Sequence, residues 1–274
     1  MRYLILLLSF TATAQNATIN SGLDKLKASP ATSRIERFHE SARVFINTPY
    51  VGGVLEKSPE QLIIEPDSLD CLTFVEYALA LTLAAENDAS SCAFPHILQQ
   101  IRYRNGEINN YASRLHYTLE WSRENQLKGR LSDVTAQCSG AVTTTKDINF
   151  MTTHVQSYKE LVANPELIDE IKATEEMLSA LPFSYIPCSE IDACENTIFS
   201  GDIILFTGTI PGLDIVHLGI ACIENGALTF IHASSDAMKV IINPEPLSVY
   251  CEKMKRVNGI IVLRINEAAA IAGK

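Results

Sequence analysis

The feature that most limits how this chain can fold is a change of period near residue 200. Before about residue 180, apolar residues recur mostly at helical spacing; beyond residue 200 they alternate. Five segments carry the alternation: "GDIILFTG", "DIVHLGIACIEN", "ALTFIHASS", "KVIINPEP" and "NGIIVLRIN". Each reads as a strand, and their close spacing predicts an antiparallel sheet. Upstream, "SGLDKLKASPATSRIERFHESARVFI" has a capping serine, helical spacing and one proline break. "HVQSYKELVANPELIDEIKATEEMLSAL" is amphipathic helix interrupted near Pro165. Between them, "CLTFVEYALALTLAAEN" is apolar nearly all round, which predicts a helix buried on most sides. Helices first and an antiparallel sheet afterwards give an α+β fold with the central helix on one face of the sheet. The sequence shows no repeat and no Pro/Gly-rich linker, so residues 15–274 read as a single domain.

Composition narrows the function. The net charge of −10 leaves no basic surplus to displace phosphate counterions, which argues against nucleic acid as a partner. The first residues, "MRYLILLLSFTATAQ", run from a positive end through an apolar stretch to Ala12-Thr13-Ala14. That order predicts a signal peptide over 1–14 and a secreted or periplasmic chain beginning at Gln15; a buried helix is the alternative. The stretch is shorter than the roughly 20 residues a membrane span needs. A soluble monomer with no membrane span is expected. Export gives the 7 cysteines a meaning, since an odd number in an oxidising compartment leaves one thiol over. Cys188 and Cys194 in "PCSEIDAC" are the expected local bridge; six buried thiols without bridges are the alternative. No C-x-x-C pair suggests a structural metal site.

Two places carry candidate chemistry. Asp70 can cap the apolar helix, which puts Cys71 at its first position. A helix N-terminus carries about half a positive charge and lowers the pKa of a thiol there. The Cys71 amide would also be free to donate to an oxyanion. On its own, a cysteine is as readily core filler or half of a bridge. The second place is a hairpin. Asn225-Gly226 suits a two-residue type I′ turn, which would set His217 opposite Ser234 and His232 opposite Gly219. Both imidazoles then project from one face as diagonal neighbours. Gly219 and Ala221 leave that face open for the cysteine-bearing helix, while Val216, Leu218, Ile220 and Cys222 form an apolar row behind it. The result is a Cys–His pair with a third polar group to orient the imidazole. Two ordinary strand histidines remain the alternative, and a one-residue bulge would turn one of them away.

"TPYVGG" at 48–53, "LDCLTFVE" at 69–76, "SGDIILF" at 200–206, "IVHLGIA" at 215–221 and "FIHASS" at 230–235 occur in that order, and "GIIVLRI" follows near the end. In order and spacing they resemble the NlpC-type papain-like cysteine hydrolases of bacterial cell walls. The resemblance implies a papain-like fold with Cys71 as nucleophile, His217 as general base and then acid, and His232 as the orienting third member. It makes Tyr50 a neighbour of the nucleophile that helps bind the oxyanion. Asp70 and Ser234 fall beside these residues as candidate substrate contacts. The chain departs from the family in having Leu72-Thr73 where Ser-Gly is usual. "RYRNGEINNYASRLHYTLEWSREN", inside a mostly helical insertion at about 92–190, resembles a branch of N-acetylmuramoyl-L-alanine amidase-like proteins. There Tyr111, Arg114, His116 and Trp121 are groups suited to a sugar or a carboxylate; an ordinary amphipathic helix is the alternative.

These readings lead to an expected cysteine amidase acting on peptidoglycan or muropeptides at the N-acetylmuramoyl–L-alanine bond, with no cofactor and no metal. A γ-D-glutamyl–diamino acid endopeptidase is the rival of the same class. A catalytically inactive peptidoglycan-binding module is the rival of another, and a metal site built from His217, His232 and Asp214 or Asp236 is the weakest.

Overall fold

The computed structural model describes residues 17–86 and 90–267. The expected signal peptide, at 1–14, lies outside the described residues. The longer helices are α1 over 17–28, α2 Arg34–Val44, α3 Cys71–Ala85, α4 Ser90–Arg102, α5 Thr118–Leu127, α6 Leu167–Ser179 and α7 Leu247–Lys253. The strands are β1 Leu131–Asp133, β2 Val142–Thr144, β3 Phe183–Pro187, β4 Ile203–Gly208, β5 Ile215–Glu224, β6 Ala227–Ser234, β7 Lys239–Ile242 and β8 Val257–Ile265. They pair antiparallel in the order β2-β3-β8-β4-β5-β6-β7, with β1 beside β3 on the same edge of β8.

The five alternating segments are β4 to β8, and the mixed α+β architecture is as expected. The stretch read as mostly helical also holds three strands, β1 to β3. Two of them are only three residues long, too short for a period of two to register, and they form because β8 and then β3 offer unpaired edges.

Helix α3 is the centre of the molecule. Every residue from Thr73 to Ala84 is buried, as its all-round apolar sequence predicts. Truncating one of these side chains, such as Leu79 to Ala, would cost about 2–5 kcal/mol, transfer and cavity terms together. Helix α2 is capped by Ser33, which accepts from the Glu36 amide while the Glu36 carboxylate accepts from the Ser33 amide.

The helix meets the sheet on a different row from the one expected. Leu218, Ile220 and Cys222 of β5 share a core with α3, together with Leu205 and Ile231. Ala221, Phe230 and Phe206 face the other way, into a second core with Leu247 and Cys251 of α7. The apolar row fills the helix face better than the open one, so only the first turn of α3 comes level with the histidine end of the hairpin. A third cluster, around Tyr117, Ile148 and Leu161, packs the insertion on itself.

The cysteines pair across the chain rather than locally. Cys138 joins Cys194 and Cys188 joins Cys251, leaving Cys71, Cys92 and Cys222 free. This corrects the expected Cys188–Cys194 bridge. The two residues lie in successive short helical segments, Cys188–Glu190 and Ile191–Cys194, and each side chain meets a different element. The second bridge fastens α7 to the end of β3.

Candidate active site

The chain turns into α3 at Asp70, whose backbone is extended. Its carboxylate accepts from the Thr73 amide at 2.8 Å, and the Thr73 hydroxyl oxygen accepts from the Asp70 amide at 2.8 Å. This reciprocal cap makes Cys71 the first helical residue, as the sequence indicates. The half-buried sulfur lies against the strand end next to His217. The amides of Leu218, Leu72 and Cys71 itself favour its anion, while burial and the Asp70 carboxylate oppose it. Burial and the carboxylate prevail and push the thiol up to about 12. The depressed thiol pKa expected from the helix terminus is therefore absent from the free site, because burial disfavours the anion and the capping charge that fixes Cys71 in place also repels it.

The hairpin forms in the expected register. Asn225 and Gly226 take φ of 53° and 83°, and Ile220 pairs with Ile231, Ala221 with Phe230 and Cys222 with Thr229. A Cβ on Gly219 would lie 2.9 Å from the Ile231 carbonyl oxygen and 3.3 Å from the His232 Cβ, so only glycine lets the two strands close here. A bulge does occur, but on the β4 side. Phe206 pairs with His217 and Thr207 with Ile215, leaving Val216 as the extra residue. It leaves the histidines together: His217 Nε2 lies 2.7 Å from His232 Nδ1.

This pair sits in an aromatic surround. Phe206 stacks on His217 at 5.7 Å between centroids, Phe230 lies 4.5 Å from His232, and Tyr250 meets His232 at 5.8 Å, nearly edge to face. Burial lowers His217 to about 4; burial and then the charge of His217 lower His232 to about 3. No carboxylate among the described residues pulls either ring back up. His232 Nε2 is buried without a hydrogen-bond partner. The resting site thus holds two neutral imidazoles and a neutral thiol that meets the strand at Leu218, the residue after His217.

The remaining candidates are placed as follows. Tyr50 bridges to Leu69, just before the cap, and its hydroxyl is raised by burial, then by Cys71 and Asp70, near both of which it lies. Gly52 leaves that hydroxyl open, since a Cβ there would stand 3.6 Å away. Ser234 is buried, and its hydroxyl accepts from the Ala237 amide in the turn to β7.

Tyr111, Arg114 and Trp121 are interior rather than displayed. The Tyr111 hydroxyl donates to Glu56 at 3.0 Å, Arg114 pairs with Glu56 at 2.9 Å and approaches Glu60 at 3.4 Å, and Trp121 is wholly buried. The segment is a short turn over Tyr111–Ser113 followed by α5, and not the exposed amphipathic helix of the alternative. His116 holds the Tyr111 carbonyl through Nε2 at 2.8 Å and packs at a tilt against the Tyr111 ring. With Arg114 it lines a cavity that reaches Asp70 and Leu72, on either side of Cys71 in sequence. The cavity floor holds the buried pair of Arg102 and Glu76, 2.7 Å apart.

Tyr250 was not among the sequence candidates. Its ring packs on His232, Phe206 and Phe230, and its hydroxyl senses both Asp236 and Cys71. The segment "LSVYCEK" is too short to show a pattern; a tyrosine beside a cysteine was its only signal.

The chain matches the AmiA-like family, N-acetylmuramoyl-L-alanine amidase-like, over residues 40–260. Among solved structures it resembles an N-acetylmuramoyl-L-alanine amidase from Bacteroides uniformis at 38% identity and a TM-score of 0.81, covering 85% of this chain and 99% of that one. A Bacteroides fragilis protein named as a candidate xylanase is 40% identical, with a TM-score of 0.77 over 82% of this chain and 98% of that one. A Legionella pneumophila protein shares the fold at 24% identity, with a TM-score of 0.71 over 94% of this chain and 96% of that one. No curated protein matches. With the family matched across most of its length, the chain belongs to the AmiA-like, N-acetylmuramoyl-L-alanine amidase-like proteins.

Proposed function

We propose that this protein is an exported NlpC-type, papain-like cysteine amidase that hydrolyses the N-acetylmuramoyl–L-alanine bond of peptidoglycan or its soluble fragments. The observation that carries the reading is the 2.7 Å contact between His217 Nε2 and His232 Nδ1, together with the thiol at the start of α3 that the amide of Leu218, the residue after His217, reaches. With Nε2 engaged, Nδ1 of His217 is the nitrogen left to face Cys71. It takes the thiol proton as the sulfur attacks the lactyl carbonyl, and the Cys71 amide and Tyr50 hydroxyl donate to the oxyanion. His217 returns the proton to the departing alanine nitrogen. Water, activated by the same ring, then hydrolyses the thioester.

Because both partners rest neutral, proton transfer accompanies attack instead of preceding it. The two disulfides favour export, since such bridges persist in oxidising compartments. Around the cavity beside Cys71, Asp70, Glu56 and Glu76 face Arg102 and Arg114. Carboxylates outnumber guanidiniums there, so an uncharged, hydroxyl-rich group fits better than a peptide carboxylate. That favours the sugar side of the bond over the γ-D-glutamyl rival. A xylanase would need two free carboxylates flanking its bond. Asp70 is committed to the helix cap and Glu76 to Arg102, so the site supports amide chemistry instead.

The test is incubation with defined muropeptides, with and without prior iodoacetamide, and mass identification of the new termini. Release of an intact stem peptide bearing a free alanine amine, abolished by alkylation and by Cys71→Ala, is the expected result. Cleavage inside the stem, or turnover that survives alkylation, overturns it.

A further inference from the structure

Among the described residues, no carboxylate stands behind the histidine pair. A proton taken from Cys71 makes a cation in a buried site, and His232 can share it only through the one bond to His217. In the state where His217 Nδ1 is free to accept, His217 donates from Nε2 to His232 Nδ1, and His232 must carry its own proton on Nε2. That nitrogen is buried and has no hydrogen-bond partner. Its surroundings are ring faces and edges: Phe230 from the same strand, and Tyr250 from α7. Phe206 closes the enclosure by touching His217, Phe230 and Tyr250. All three lie within the roughly 6 Å at which a cation is attracted to an aromatic ring.

We infer that Tyr250 is a positioning residue whose ring, with Phe206 and Phe230, takes the place of the missing acid by holding His232 against His217 and sheltering the charge the pair acquires. This rests on Cys71 and His217 acting together as proposed above. Phe206 and Phe230 belong to the strands that carry the histidines. Tyr250 alone comes from outside the sheet, and Cys251, its neighbour, is bridged to Cys188. Its half-buried place lets the ring be changed without emptying the core. The bridge fixes the helix, and the helix fixes the ring.

The experiment compares Tyr250→Phe and Tyr250→Leu in a Cys92→Ser background, so that the exposed thiol does not report. Two readouts are taken: the rate at which iodoacetamide alkylates Cys71, and kcat and KM on muropeptide. Tyr250→Leu is expected to slow alkylation and lower kcat by about 2- to 30-fold, the range of an aromatic–cation contact, with KM unchanged. Tyr250→Phe is expected to stay within about 2-fold of the parent on both. Melting curves identify a leucine variant that fails to fold, in which case Tyr250→Met supplies the aliphatic arm. The inference is overturned if the aliphatic variant matches the parent in both readouts, if phenylalanine loses as much as leucine, or if KM alone moves. Should the parent alkylate normally yet cleave no muropeptide, the amidase reading fails while the alkylation comparison still decides the role of Tyr250.

Discussion

Acidification is the sharpest probe of the site. Burial holds His217 at about 4 against an ordinary 6.5, and His232 at about 3. At about 1.4 kcal/mol per unit, placing the first proton on the pair costs on the order of 3 kcal/mol more than in solution. The sign follows from the direction of the shift. Both folded values lie below the unfolded one, so as pH falls the unfolded chain binds protons first. The stability that the neutral pair contributes is whole above pH 6.5 and is lost on the way down towards 4. Because the rings share one hydrogen bond, they titrate as a unit. The assay is Cys71 alkylation from about pH 3 to pH 9, alongside ring chemical shifts of labelled histidine. The expected acid limb has its midpoint near 4. Thiolate absorbance at neutral pH would show an ion pair at rest and refute the neutral site, whatever the midpoint, because a histidine-paired thiolate can itself protonate at about 3–4. A midpoint between about 6 and 7 would show imidazoles that burial does not depress, and refute it too.

Other outcomes follow from the same geometry. Asp70→Asn keeps a capping oxygen but removes the charge that opposes the thiolate, so alkylation at neutral pH should quicken about 10-fold while the melting temperature barely moves. Glu76→Gln leaves Arg102 buried without its counter-charge, and denaturant titration should show a loss of about 3–5 kcal/mol. Gly219→Ala forces a methyl against the Ile231 carbonyl, with an expected cost of about 1–3 kcal/mol and, by ring shifts, a disturbed histidine pair. Reducing both disulfides should cost roughly 2–4 kcal/mol each and lower turnover, measured by calorimetry and muropeptide cleavage.

What could be read from the sequence was what local rules decide. Asn225-Gly226 fixes a turn, the turn fixes a register, and the register brings His217 to His232. Asp70 before an apolar run fixes where α3 begins and so where Cys71 stands. What escaped depends on distant partners. The face on which α3 lies was decided by how well Leu218, Ile220 and Cys222 fill it, a matter of volume that alternation does not convey. Cys188 and Cys194 are near in sequence yet bond to residues 63 and 56 positions away. That Arg114 and Tyr111 meet Glu56 could not be read from the sequence, since Glu56 lies 58 and 55 positions upstream. The thiol's direction differs from the expected one because a helix terminus was weighed without the burial of the sulfur and the capping charge next to it.

Both imidazoles hang from one ribbon closed by two residues, so their alignment is inherited from its nearest neighbours in the chain. Part of the insertion, around Tyr117, Ile148 and Leu161, packs in a cluster of its own, and the neighbouring Arg114 and His116 line the cavity. Its sequence can drift, and with it the choice of what is held beside the sulfur, without realigning the path of the proton. Such a division separates the chemistry from its appetite: selection can retune one while the other stands still.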